Sequence, residues 1–234
     1  MIRVPAIRFF LVVLPPPSWM RVALALAGLT GCAMLWLNPA DVDSALGSVL
    51  LLQMFAASGG FMSAASRGHF DAVLVTGRPR WRIALGSLTA AAAPGAAVWF
   101  TVVLVAAALG RGAEAFAPQR LVAFASVSCV SWALGLALPP AAAGALWALV
   151  LVALALSRES AAAYLSIVHS APATMAQLGH ATAAVVVCPF LLLGNFPAVT
   201  DARVLLLDGV VAVSVTALGI RAVCRRDYSL AEPA

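Results

Sequence analysis

The sequence predicts an all-α integral membrane protein with six transmembrane helices and a re-entrant hairpin before the last of them. Three observations carry that class. Of the 234 residues, 63% are hydrophobic and only 10% charged, with a mean hydropathy of +1.02. Soluble domains hold roughly 45–50% apolar and about 25% charged residues, so a chain this apolar cannot hide its surface in one water-soluble core. The few charges fall between long uncharged runs, each suited to a crossing of about 20 residues. The arginines, finally, collect at alternate ends of those runs, as the positive-inside rule expects. Residues 1–234 are read as a single transmembrane domain.

Residues 1–18 carry Arg3 and Arg8, and Pro15-Pro16-Pro17 follows the short apolar run Phe9–Leu14. That run is too short for the core of a cleavable signal peptide, and the segment reads as an interfacial helix on the cytoplasmic face or a flexible tail. The first span runs from Val22 to about Leu37, with Trp19 and Trp36 near its ends as interfacial aromatics. A short acidic connector with Asp41 and Asp43 leads to the second span, Ser44 to about Ala65. Next comes the strongly charged segment Ser66–Arg82. The third span, Ile83–Leu109, is uncharged throughout, and Pro94-Gly95 near its middle predicts a kink or gate. From Leu121 to Ser157 there is no charge over 37 residues. One helix of that length would reach roughly 55 Å, well beyond a core of about 30 Å, so Pro139-Pro140 is expected to divide it into spans four and five.

Residues 181–193 are apolar for only 13 residues and contain Pro189. A run of that length is more often re-entrant than spanning. The last span, Val204 to about Val223, ends in Cys224-Arg225-Arg226, and residues 224–234 form a polar tail. Six spans with both termini cytoplasmic place Arg3, Arg8, Arg21, Arg67, Arg78, Arg80, Arg82, Arg221, Arg225 and Arg226 inside, and Arg111, Arg120, Arg158 and Arg203 outside. A seventh span would put the Arg221–Arg226 cluster outside, against the rule.

Several function classes are excluded by residue type. All 14 basic residues are arginine, so the chain has no Walker A phosphate loop, which needs its lysine, and no Schiff-base chemistry. The clustering of arginine at span ends accounts for the basic balance without nucleic acid. Cys32, Cys129, Cys188 and Cys224 stand singly, with no CxxC spacing to suggest a metal. Ala57-Ser58-Gly59-Gly60 invites comparison with an intramembrane serine protease, but no span supplies a histidine base. His169 and His180 read as surface groups of the outer region. Asp208 lies within the last span; an intramembrane carboxylate is a functional candidate, although it could face water or pair with Arg203. Abundant alanine with exclusive use of arginine points to a GC-rich bacterial genome, and so to a bacterial plasma membrane.

Residues 66–88 read SRGHFDAVLVTGRPRWRIALGSL. A helix from about Gly68 to Val75 would set Phe70, Val73 and Leu74 on one face, a small apolar knob on a charged loop. Such a knob suits a groove in a partner protein; alternatively its apolar residues dip into lipid while the arginines meet headgroups. The segment resembles the cytoplasmic loop between the second and third spans of ABC-2 type transporter permeases. That family's loose pattern is Gly-Thr-Leu-Glu, a variable residue, two leucines, a proline-containing turn with Ser-Arg, then Gly-Lys-Leu. Gly68-His69-Phe70-Asp71 falls on the first group, Val73-Leu74 on the leucine pair, and Gly77-Arg78-Pro79-Arg80 on the turn. Leu85-Gly86-Ser87-Leu88 matches the end. Ser66 and Arg67 replace acidic residues, the turn proline is displaced by two positions, and Ser87 replaces a basic residue.

The resemblance implies a coupling helix within 66–82 that docks on a separate ATPase subunit through Gly68, His69, Phe70, Asp71, Val73, Leu74 and Arg80. It further implies a second permease, the same chain or a relative, and export more than import. ATP and magnesium would be bound by the ATPase, with no cofactor or catalytic site in this chain. The alternative is a polytopic protein without an ATPase, either an ion-coupled carrier or a structural subunit of a membrane complex. A carrier usually needs charged residues at midplane, and these spans offer almost none.

Overall fold

The computed structural model describes residues 18–65, 79–138, 141–148 and 202–225. Among them every regular element is helical: α1 (Ser18–Leu37), α2 (Val42–Ala65), α3 (Arg80–Ala106), α4 (Pro118–Ala137) and α5 (Ala202–Arg225). Residues 141–148 are also helical. Two stretches, Arg80–Ala115 and Pro118–Ala137, are long and apolar enough to cross a membrane, and α1 and α2 contribute the shorter apolar stretches Arg21–Leu37 and Val42–Ser58.

The helix ends follow from local chemistry. α1 stops before Asn38-Pro39, and the Asn38 side-chain oxygen accepts the Ala40 N–H. α2 starts after Asp41, whose carboxylate accepts the Ser44 N–H at 3.2 Å, satisfying a donor that the first turn leaves open. α3 starts at Arg80, with Pro79 in extended conformation before it. A proline suits that position because helix starts have N–H groups to spare. Arg80–Arg82, read from sequence as the end of the charged cytoplasmic segment, therefore form the first turn of α3.

α3 continues through Pro94 without interruption. Within the following π-helical turn, Ala107–Arg111, Gly110 adopts a left-handed conformation (φ 82°) that turns the chain, one residue past the expected span end at Leu109. Pro118 opens α4 at its first turn, and Leu138 leaves it in extended conformation just before Pro139. Helix resumes at 141. Helix is thus interrupted between Ala137 and residue 141, while residues 139, 140 and 149–157 lie outside the described residues. Residues 1–17, the segment 66–78, the re-entrant candidate 181–193, His169, His180 and the tail beyond Arg225 lie outside the described residues.

Contacts along the helices give their directions. Gly28 lies against Val98 and Gly31 against Val102, so α1 and α3 run parallel. Asp43 pairs with Arg120, Gln53 with Ser128, and Ser58 abuts Gly135, so α2 and α4 also run parallel at a nearly constant offset. α3 and α4 are antiparallel: Trp132 bonds Ser87, whereas Trp99 packs on Phe124 with ring centroids 5.3 Å apart. Cys129 meets Thr216 and Trp132 meets Gly219, which makes α5 parallel to α4.

One end of the bundle therefore gathers Arg21, Arg80, Arg82, Arg221 and Arg225, with no carboxylate among the described residues; we call it the arginine end. Asp41, Asp43 and Glu114 accompany Arg111, Arg120 and Arg203 at the opposite, acidic end. The core has two parts. Leu46, Leu50, Met54, Trp99, Val102, Val127 and Trp147 fill the half toward the acidic end. Ile83, Ala84, Ala90, Trp132, Leu136 and Val223 fill the half toward the arginine end.

Candidate functional site

The bundle interior holds polar groups that the apolar sequence does not advertise. Gln53, midway along α2, is fully buried. Its amide nitrogen donates to the Ala91 carbonyl and to Ser128 Oγ, each at 3.2 Å, and so joins α2, α3 and α4. Ala91 adjoins Ala90, whose carbonyl Pro94, four residues on, leaves without its usual N–H partner in this turn of α3. In apolar surroundings such a turn is tolerated when a neighbouring helix supplies donors. Gly95 makes the approach possible, because a Cβ there would lie 1.9 Å from Gln53 Oε1. Gln53 Oε1 and Ser131 Oγ are buried with no hydrogen-bond partner. Pro94 and Gly95, singled out from sequence as a kink or gate, thus sit against the polar junction.

At the acidic end, Arg120 is only 5% exposed. Its Nη2 pairs with Asp43 Oδ1 at 2.5 Å, while Nε and Nη1 are buried without a partner. The sequence reading places Arg120 among ordinary outer charges. In the structure it is the buried half of an ion pair fastening the first turn of α4 to the first turn of α2. By contrast, Arg111 and Glu114 form an exposed pair of a kind that contributes little to stability.

At the arginine end, Arg80 Nη1 donates to the Cys224 carbonyl at 2.9 Å, near the C-terminus of α5. Arg82 lies over the Trp81 ring, 5.1 Å from its centroid, and both residues are exposed. Trp132 is fully buried, donates to Ser87 Oγ at 3.0 Å, and presses its ring on Gly219. Ser87 is therefore an interior anchor between helices.

Of the residues expected to dock an ATPase, Arg80 lies at the start of α3; Gly68, His69, Phe70, Asp71, Val73 and Leu74 lie outside the described residues. Asp208 is in α5, two turns from its start, and its side chain is outside the described set. Gln53, Arg120, Asp43 and Trp132 were missed by sequence reasoning. A signal existed for Gln53, the lone amide in an otherwise apolar span. For the other three, only the partner across the bundle reveals the role. Chemically, these groups hold helices in register through interhelical hydrogen bonds, each contributing roughly 0.6–2 kcal/mol in apolar surroundings. No protein-family model, curated protein or solved structure gives a significant match to this chain.

Proposed function

We propose that this chain is the membrane-spanning subunit of an ATP-driven transporter of the ABC-2 type, working as an exporter with a separate ATPase subunit and a second permease. The observation that carries the reading is that α2 ends and α3 starts at the arginine end of the bundle. Residues 66–79 join the arginine end of α2 to the arginine end of α3, where an ATPase on the cytoplasmic side would meet them.

The bundle's polarity supports a membrane as its solvent. Trp36 is 76% and Leu37 84% exposed, and Leu29, Leu104, Leu206, Val213 and Leu218 are exposed as well. Gln53, Ser87, Ser128 and Ser131 are buried. Exposed apolar surface on several helices around a polar interior suits lipid, and would make a water-soluble monomer aggregate. Helix direction supports six crossings. α4 ends at the arginine end and α5 begins at the acidic end, and we take the chain between them as one crossing. Together with α1 to α4 and α5 that makes six, with both termini at the arginine end, the cytoplasmic side by the positive-inside rule. An ion-coupled carrier draws some support from the buried Arg120–Asp43 pair, but that pair lies at a helix end instead of at midplane.

Two experiments test this reading. In sealed cells, an impermeant thiol reagent should label a cysteine introduced at Ala40 and not one at Ala72; external labelling at Ala72 would reverse the orientation. The function itself is tested by Phe70→Ala combined with Leu74→Ala. Losing roughly 150 Å² of apolar contact at about 25 cal/mol per Å² weakens docking by up to about 4 kcal/mol. Half of that already exceeds a tenfold loss of affinity. The double variant should insert normally yet fail to retain an ATPase through purification. An ATPase fully retained and stimulated by the variant would refute the docking role, and a wild-type chain that never retains one would refute the ABC reading.

A further inference from the structure

From the arginine end we infer that Arg80 is a positioning residue tying the third span to the last one, so that displacement of the cytoplasmic loop moves both helices together. The inference rests on the transporter reading and reassigns a residue that the family resemblance places in the docking set.

The argument begins with the acceptor. Cys224 is among the last residues of α5, and the final four carbonyls of any helix have no partner within it. They also form the negative end of the helix dipole, where a cation is favoured. Arg80 Nη1 supplies that cation as a charge-assisted hydrogen bond of 2.9 Å, across 144 residues of sequence. The backbone that carries the donor is held in place, while the Arg80 side chain itself is exposed. Arg80 is the first residue of α3, directly after Pro79, whose φ is restricted by its ring, and the Arg82 N–H donates to the Pro79 carbonyl at 2.9 Å.

Below this tie the two helices share a packed core. Ile83 and Ala84 of α3, Trp132 and Leu136 of α4, and Val223 of α5 form one buried cluster. Within it, Trp132 donates to Ser87 and rests against Gly219. Packed side chains resist lateral separation, but they let helices slide along their axes. A directed hydrogen bond between the start of one helix and the end of the other opposes sliding. Loop residues 66–79 join α3 immediately beside that bond. A pull on the loop is then delivered to α5 as well as to α3.

The test uses the full-length chain with the ATPase that co-purifies with wild type, comparing Arg80→Ala, Arg80→Gln and Arg80→Lys. Three readouts are taken: ATPase retained through purification, ATP hydrolysis stimulated by the permease, and amide hydrogen exchange over residues 219–225. R80A should keep the ATPase, lose roughly tenfold in stimulation, and exchange roughly tenfold faster at the end of α5, the scale of one charge-assisted hydrogen bond. R80K, which keeps a cationic donor, should recover part of both losses. R80Q keeps a donor without the charge and reads the same quantities should R80A fail to fold.

Loss of the ATPase from R80A would return Arg80 to the docking surface and overturn the inference, as would wild-type stimulation or unchanged exchange. A wild-type chain that retains no ATPase removes the transporter reading, and the coupling role with it. Faster exchange in R80A would then show that the bond between the helices exists while the function assigned to it does not.

Discussion

Asp43→Ala is expected to destabilise the bundle by about 3–5 kcal/mol, because it leaves the Arg120 guanidinium buried and without its counter-charge. Arg120 is 5% exposed, and two of its three nitrogens already lack partners, so it has no ready replacement for the lost carboxylate. The reverse change should cost less. The Asp43 side chain is 29% exposed, and once Arg120 is removed it can take water in place of the guanidinium. Asp43→Asn keeps an acceptor without the charge and should fall between wild type and alanine. Replacing both partners, Asp43→Leu with Arg120→Met, should recover much of the loss, since paired apolar groups of similar volume do not carry the desolvation cost of a buried ion pair. Reversible denaturation in mixed detergent would measure these variants together with the double alanine variant. Equal losses from the two single changes, adding fully in a double alanine variant, would show that the pair is not coupled.

Gly95→Ala should be nearly as damaging, at about 2–4 kcal/mol, although it adds a single methyl group. The new Cβ would lie 1.9 Å from Gln53 Oε1, 2.5 Å from Cδ and 3.1 Å from Cγ, so the side chain has to move as a whole. Gln53 is fully buried and cannot move without releasing both the Ala91 carbonyl and Ser128 Oγ. The loss therefore combines steric overpacking with two hydrogen bonds. It also strips support from the turn in which Pro94 already withholds a donor. Gln53→Ala should relieve the clash, so the double variant should be more stable than the sum of the two single losses predicts. The same denaturation measurement reads this coupling. If Gly95→Ala is as stable as wild type, the close approach of Gln53 does not exist.

The sequence by itself determined the helical class, the positions of the helix ends and the uneven distribution of arginine. Those features are local. An uncharged run long enough to cross lipid satisfies its backbone only as helix. Asp41, Pro79, Gly110 and Pro118 each mark a boundary through their own backbone chemistry. Several boundaries are displaced, with α1 starting at Ser18, α3 at Arg80 and α4 at Pro118 where Val22, Ile83 and Leu121 were expected, which shows the limit of using charge as punctuation: a first turn that carries an arginine can still be helical.

Only the tertiary structure decided which faces meet. The spans are apolar all round, so no stripe of hydrophobic residues distinguishes an inward face as it would in a water-soluble bundle. Pairing is settled instead by where small residues let helices approach and where a polar group finds its partner. Asp43 and Arg120 are 77 residues apart, Gln53 and Ser128 75, and Arg80 and Cys224 144. Nothing local links the members of these pairs. Each polar group remains costly in apolar surroundings until the fold brings its partner within reach, and that requirement becomes visible only once the helices are packed.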